Sequence, residues 1–217
     1  MFVYFLGTQI RIGNVRDPEG MHRFLFEGSF VEYTNRAAFL AAVPDTDFLV
    51  TFDTQGGQSF KDSALPMVDT NGNYPFSMQG SKDITLGGLP TGTILVPPPG
   101  FNLFGNGPFA YSVTGDGIPV VFDFANKINA FGTDIASYDQ RQMNQLEVGV
   151  ICPTGDLFLF PNIPIGSSFY GFVLDGAVAL DIEVKTFAPY DGIYWDNVVG
   201  RFMPQDCVGC GDPHVSF

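Results

Sequence analysis

The sequence predicts an all-β protein: an antiparallel, jelly-roll-like β-sandwich with one short N-terminal helix. Three observations carry this prediction. Apolar runs are short, alternate with polar residues and recur about every 8–15 residues, which is the habit of strands rather than helices. The 217-residue chain holds 26 Gly and 16 Pro, two residue types that interrupt helices and populate the turns between strands. A single Ala-rich segment carries helix start and stop signals. A hydrophobic share of 45%, with 23 Phe, supplies an ample core and excludes a disordered chain.

Residues 2–12 alternate loosely and end at Gly13-Asn14, a turn pair, so they read as an N-terminal strand. Residues 24–33 (FLFEGSFVEY) read as a second. Thr34 is placed to cap a helix over 35–43 (NRAAFLAAV), which Pro44 stops. Ala38, Phe39 and Ala42 share the face expected to pack across a sheet end. In FLVTFD, Phe48, Val50 and Phe52 lie on one face and Asp53 ends the strand. Residues 60–92 are polar and turn-rich, with weak strands at 74–79 and 84–86. Residues 93–96 run into Pro97-Pro98-Pro99-Gly100, which cannot be a central strand because proline donates no ladder hydrogen bond. GNGPFAYSV gives a loop and then a strand. Residues 120–124 (VVFDF) and 130–135 (AFGTDI) are either a strand pair or one bulged strand, with Asn126-Lys127 near the bend. Residues 145–151 and 156–160 flank the hairpin turn Pro153-Thr154-Gly155. The stretch 168–199 supplies two alternating strands joined by a Gly turn, then a last strand carrying the only Trp. No composition break precedes residue 203 or so. A single sandwich domain is therefore expected over 1–203, with a Cys-bearing tail over 204–217.

Charge narrows the partners. Ten Lys+Arg stand against 23 Asp+Glu, a net charge of −13. Such a surface repels phosphate, which argues against nucleic acid and anionic membranes. Solubility alone accounts for the acidity; carboxylates gathered for Ca²⁺ are the second reading. No stretch reaches the roughly 20 apolar residues of a bilayer span. The N-terminal apolar run lacks a basic start and is not expected to be a secretory signal. Three cysteines, an odd count, leave at least one thiol free or bridged to another chain.

Five segments taken together, NRAAFLAAV with FLVTFD, GNGPFAYSV, PVVFDFANKINAFGTDI, FYGFVLDGAVALDIEV and YWDNVV, resemble the β-sandwich ectodomains of PEP-CTERM-type bacterial surface proteins. The likeness spans residues 24–200. It implies an exported, extracellular or matrix-associated sandwich, usually without demonstrated catalysis. Its expected partners are copies of itself or other surface or coat proteins. The chain shows no Pro-Glu-Pro sorting motif, apolar helix or basic tail, and a virion protein built on the same sandwich would share those absences.

Several residues qualify as site candidates. Asp53 ends the first core strand, and Asp196 and Asn197 sit on the last. Where such strands are neighbours, as in many carbohydrate-binding jelly rolls, an acidic residue from each holds a structural Ca²⁺ through oxygen ligands at about 2.3–2.6 Å. The plain alternative is that Asp53 accepts turn hydrogen bonds and Asp196 faces solvent. Asp69-Thr70-Asn71-Gly72-Asn73 has the Asp/Asn alternation of a calcium loop. Its Gly is misplaced and no Glu closes it, so an Asx turn is expected. Tyr190, Tyr194 and Trp195, beside the loop into the last strand, suit glycan stacking; the alternative is that Trp195 plugs the core. Cys207, Cys210 and His214 form C-x₂-C-x₃-H, which is part of a zinc site only if Cys152 folds close, and otherwise a disulfide or a plain tail.

Catalysis has little support. His22 and His214 lie near opposite ends and no Ser sits in a G-x-S-x-G elbow. Glu27, Glu32, Glu147 and Glu183 offer carboxylates for glycoside hydrolysis, with nothing to single one out. The sequence therefore favours a non-catalytic surface or assembly protein, whose apolar N-terminal strand (residues 2–6) would add to a neighbour's sheet edge. A virion structural or decoration protein is the same reading in another setting. A calcium-stabilised glycan-binding module comes next, and a carbohydrate-active enzyme, resting on fold analogy alone, comes last.

Overall fold

The computed structural model describes residues 2–5, 8–11, 29–55, 58–60, 65–80, 85–86, 89–90, 94–96, 110–113, 119–137, 146–152, 157–159, 161, 168–176, 178–186 and 192–203. In chain order the elements are β1 (Phe2–Phe5), β2 (Thr8–Arg11), β3 (Ser29–Tyr33), α1 (Arg36–Ala42) and β4 (Phe48–Val50), followed by a 3-10 turn over Asp53–Gln55. Then come β5 (Gln58–Phe60), β6 (Leu65–Met67), β7 (Phe76–Gly80), β8 (Thr85–Leu86), β9 (Leu89–Pro90), β10 (Ile94–Val96) and β11 (Ala110–Val113). The last six are β12 (Val120–Ser137), β13 (Leu146–Ile151), β14 (Leu157–Leu159), β15 (Ser168–Asp175), β16 (Ala179–Thr186) and β17 (Gly192–Phe202). Every pairing among them is antiparallel, as the alternating sequence predicts. The N-terminal run expected as one strand is two: β1 turns back on β2, with Phe2 opposite Arg11.

Strand β12 organises the sheet. Its 18 residues settle the choice left open by the sequence in favour of one bulged strand. The N-terminal half, 120–124, lies between β7 and β16, so that Phe122 stands opposite Met78 and Ile182. The C-terminal half, 128–137, lies between β15 and β17, so that Gly132 stands opposite Gly171 and Val199. The changeover falls at Ala125, Asn126 and Lys127, all exposed. There the backbone bonds jump neighbours: Ala125 N–H donates to Pro75 O at 3.0 Å, and Met203 N–H to Lys127 O at 2.9 Å. One flank then reads β6-β7-β12-β16-β13-β14, and the other β3-β15-β12-β17, with β4 and the β11-β10-β5 run beyond β17.

This arrangement corrects the reading of 168–199. The runs either side of the Gly turn do not pair with each other. Strands β15 and β16 lie end to end along one edge of β12, one on each half, and Gly176, at φ +73°, makes the corner between them. Only a residue without Cβ adopts that left-handed conformation at no steric cost.

The curled sheet closes on a single core fed by both flanks. Phe122 of one flank meets Trp195 of the other edge-to-face at 5.1 Å, and Phe131 at 5.4 Å. Trp195 is fully buried. Aromatic pairs of this geometry contribute about 0.5–1.5 kcal/mol each beyond their area burial.

A smaller cluster lies on the outer face of β15, β12 and β17, where α1 docks. Asn35, not Thr34, is the cap: its extended backbone lets Oδ1 accept from Ala38 N–H at 3.0 Å. The helix stops before Pro44, whose ring disfavours helical backbone at Val43. Its packed face is Phe39 and Val43, whereas Ala38 and Ala42 are exposed. Phe39 sits 5.4 Å from the Phe169 ring, above the opposed glycines Gly132 and Gly171. A Cβ on Gly132 would lie 2.5 Å from Phe169 Cζ and 3.2 Å from Phe39 Cε1, so the missing side chain makes the seat for both rings.

Candidate functional site

Strands β4 and β17 pair with Val50 opposite Val198, which carries the turn after β4 alongside the middle of β17. Sequence separation hides this neighbourhood, but the ladder brings Asp53 and Asp196 into one region, as expected if the first core strand and the last are neighbours. Between Gly132/Val199 and Asp134/Asp196 the β12–β17 register shifts, with one residue of β12 facing two of β17. That β-bulge holds Asn197 at φ +49°, a left-handed conformation that Asn tolerates better than most residues. Phe52, at φ +60°, turns the chain into the 3-10 turn that presents Asp53.

Asp196 is the centre of the cluster. It is 1% exposed, and its Oδ1 accepts from Asn197 N–H at 2.7 Å. Its Oδ2 is buried with no hydrogen-bond partner. A buried polar atom left bare costs about 1–3 kcal/mol. Burial pushes the Asp196 carboxyl up to about 7; the charges of Asp134 and Asp53 push the same way, against the Asn197 N–H and Arg36.

Asp134 is fully engaged. Its Oδ2 accepts from Asn197 Nδ2 at 2.7 Å and lies 3.0 Å from Arg36 Nη2, while Oδ1 takes Arg36 Nε at 3.3 Å. Arg36 Nη2 also donates to Asn197 O at 3.0 Å, and its guanidinium lies 5.0 Å over the Phe169 ring. The buried Thr133 hydroxyl lies 2.9 Å from Asp134 O and 3.0 Å from Asp196 O. Asp53, exposed, accepts from Thr51 Oγ1 at 2.8 Å.

The three residues expected to hold calcium, Asp53, Asp196 and Asn197, are thus brought into one region. Asn197 fastens Asp134 and Arg36 there. Among the described residues no group of three or more His, Cys, Asp or Glu is arranged to hold a metal ion. Asp134 and Arg36 were missed by sequence reasoning. The signal for Arg36 was its place in the first helical turn, where no acidic residue accompanies it and a cation opposes the helix dipole unless a carboxylate answers it.

Other candidates resolve differently. Trp195 plugs the core and offers no face to a sugar, which corrects its place among glycan contacts. Tyr194 is half-buried on β17, opposite Tyr111 and Ala136. Tyr190, Cys207, Cys210, His214, His22 and Glu27 lie outside the described residues. Cys152 is buried, with Sγ 3.8 Å from Val150 O. Asp69 makes the expected Asx turn: Oδ1 accepts from the N–H groups of Asn71 and Asn73, both at 2.8 Å, and Gly72 takes φ +85°.

The glutamates engage the fold. Tyr170 Oη donates to Glu32 Oε1 at 2.8 Å; burial raises the pKa of Glu32, and burial with the Glu32 charge raises that of Tyr170 well above its ordinary value. Glu147 pairs with Lys185 at 2.6 Å. Glu183 shares an outer face with Asp123 and Asp181, and Asp181 is raised by burial first and then by the Asp123 carboxylate. No helix among the described residues is long and apolar enough to cross a membrane. No protein-family model and no curated protein sequence matches the chain.

Proposed function

We propose that this chain is a non-catalytic structural protein of an exported surface or coat assembly, built to pack against copies of itself. The observation that carries this reading is the edge of the sheet at β3. Among the described residues β3 bonds only to β15, and it carries Val31 at 54% exposure. An exposed strand edge with an apolar side chain is a template for strand addition from another chain. The chemistry-bearing side chains support the same reading, because Arg36, Asp134 and Asn197 tie α1 to the sheet, Glu32 holds Tyr170 and Glu147 holds Lys185. The resemblance of residues 24–200 to surface ectodomains supports an extracellular or cell-surface setting, with a virion coat as the variant.

Light scattering coupled to size-exclusion chromatography tests it. The wild-type chain is expected to exceed its 23.6 kDa monomer mass as concentration rises. Val31→Lys places a charge on the edge and should return the mass to the monomer. A wild-type monomer at every concentration contradicts the proposal.

A further inference from the structure

We propose that Asp196 and Asp53, where β17 passes β4, hold a hard divalent cation, calcium in preference to magnesium. The inference goes beyond the assembly reading and does not depend on it. Asp196 supplies a ligand atom already in place: one carboxylate oxygen is anchored by the Asn197 N–H, and the other is buried and bare. Asp53 stands at the exposed side of the cluster, close enough for its charge to act on Asp196. The nearby cation does not fill this role, because Arg36 directs its hydrogen bonds to Asp134 and to Asn197 O. Asp134, Asn197 and Arg36 are then positioning residues. They hold the bulge that aims Asp196, and Asp134 keeps its oxygens on Arg36 and Asn197.

Two carboxylates leave most of the coordination shell to water and backbone carbonyls. Calcium accepts six to eight oxygens in irregular geometry, whereas magnesium demands a near-ideal octahedron and gives up its water reluctantly. A site of so few charges belongs with the weak extracellular class, with Kd on the order of 10⁻⁴–10⁻³ M.

The experiment is thermal unfolding of the full chain, first freed of metal with chelator and then titrated with CaCl₂ or MgCl₂. At roughly ten times Kd the wild type should melt about 3–6 °C higher in calcium, and less so in magnesium. Asp196→Asn and Asp53→Asn should each lose that rise. Asp53 is exposed, so Asp53→Asn is expected to fold and reads the site independently of the buried Asp196→Asn. Asp181→Asn, on the other flank, should keep the full rise. No rise in wild type up to about 10 mM calcium overturns the proposal, as does an undiminished rise in both site variants. An equal rise in magnesium overturns the preference for calcium.

Discussion

Asp196 concentrates more unbalanced polarity than any other described residue, and this has a consequence that pH reports. In chelator its folded-state pKa of about 7 exceeds the unfolded value of about 3.9, so the native protein retains a proton that the unfolded chain has released. Burial is the principal cause, with the Asp134 and Asp53 carboxylates next. The contribution of Asp196 to stability is therefore full below about pH 4, falls as pH rises to about 7, and stays low above it. The total loss is on the order of 3–4 kcal/mol. Asp196→Asn keeps the shape without the charge and should flatten that fall, leaving the variant the more stable protein near pH 8. Urea midpoints across pH check this; parallel curves for the two proteins contradict it. Asp53 and Asp196 were legible because each ends or lies on a core strand. Their neighbours Asp134 and Arg36 were not, since an outward Asp on a strand and an Arg on a helix both look like solvated charges until a long-range ladder joins them.

At the scale of elements, the seat of α1 is set by what two glycines lack. Gly132 and Gly171 face each other beneath Phe39 and Phe169. Gly132→Ala should crowd Phe169 and destabilise the protein by about 1–3 kcal/mol, as overpacking does. Phe39→Ala removes a fully buried ring and should cost about 3–5 kcal/mol. Denaturant titration measures both, and a Gly132→Ala protein as stable as wild type contradicts the close seat. The helix itself was readable from NRAAFLAAV and Pro44, although the cap moved one residue to Asn35 because the Asn side chain reaches the Ala38 N–H. The pairing of β15 and β16 was not readable. Alternation says which face of a strand is buried but never names the partner, and a Gly turn between two strands looks like a hairpin whether they fold together or continue along a third.

For the molecule as a whole, short alternating runs and turn residues made the all-β class legible, while the place of β12 at its centre emerges only from pairings far apart in sequence. That one strand belongs to both flanks, and the rings of Phe122, Phe131 and Trp195 join those flanks across one core. Neither flank can bury its apolar face without the other, so the sheet should not come apart in stages. Differential scanning calorimetry of the metal-free chain tests this directly. The shared strand predicts one transition in which the calorimetric and van't Hoff enthalpies agree, a ratio of about 1. Two resolved transitions, or a calorimetric enthalpy well above the van't Hoff value, would mean that the flanks fold independently and that β12 does not unite them.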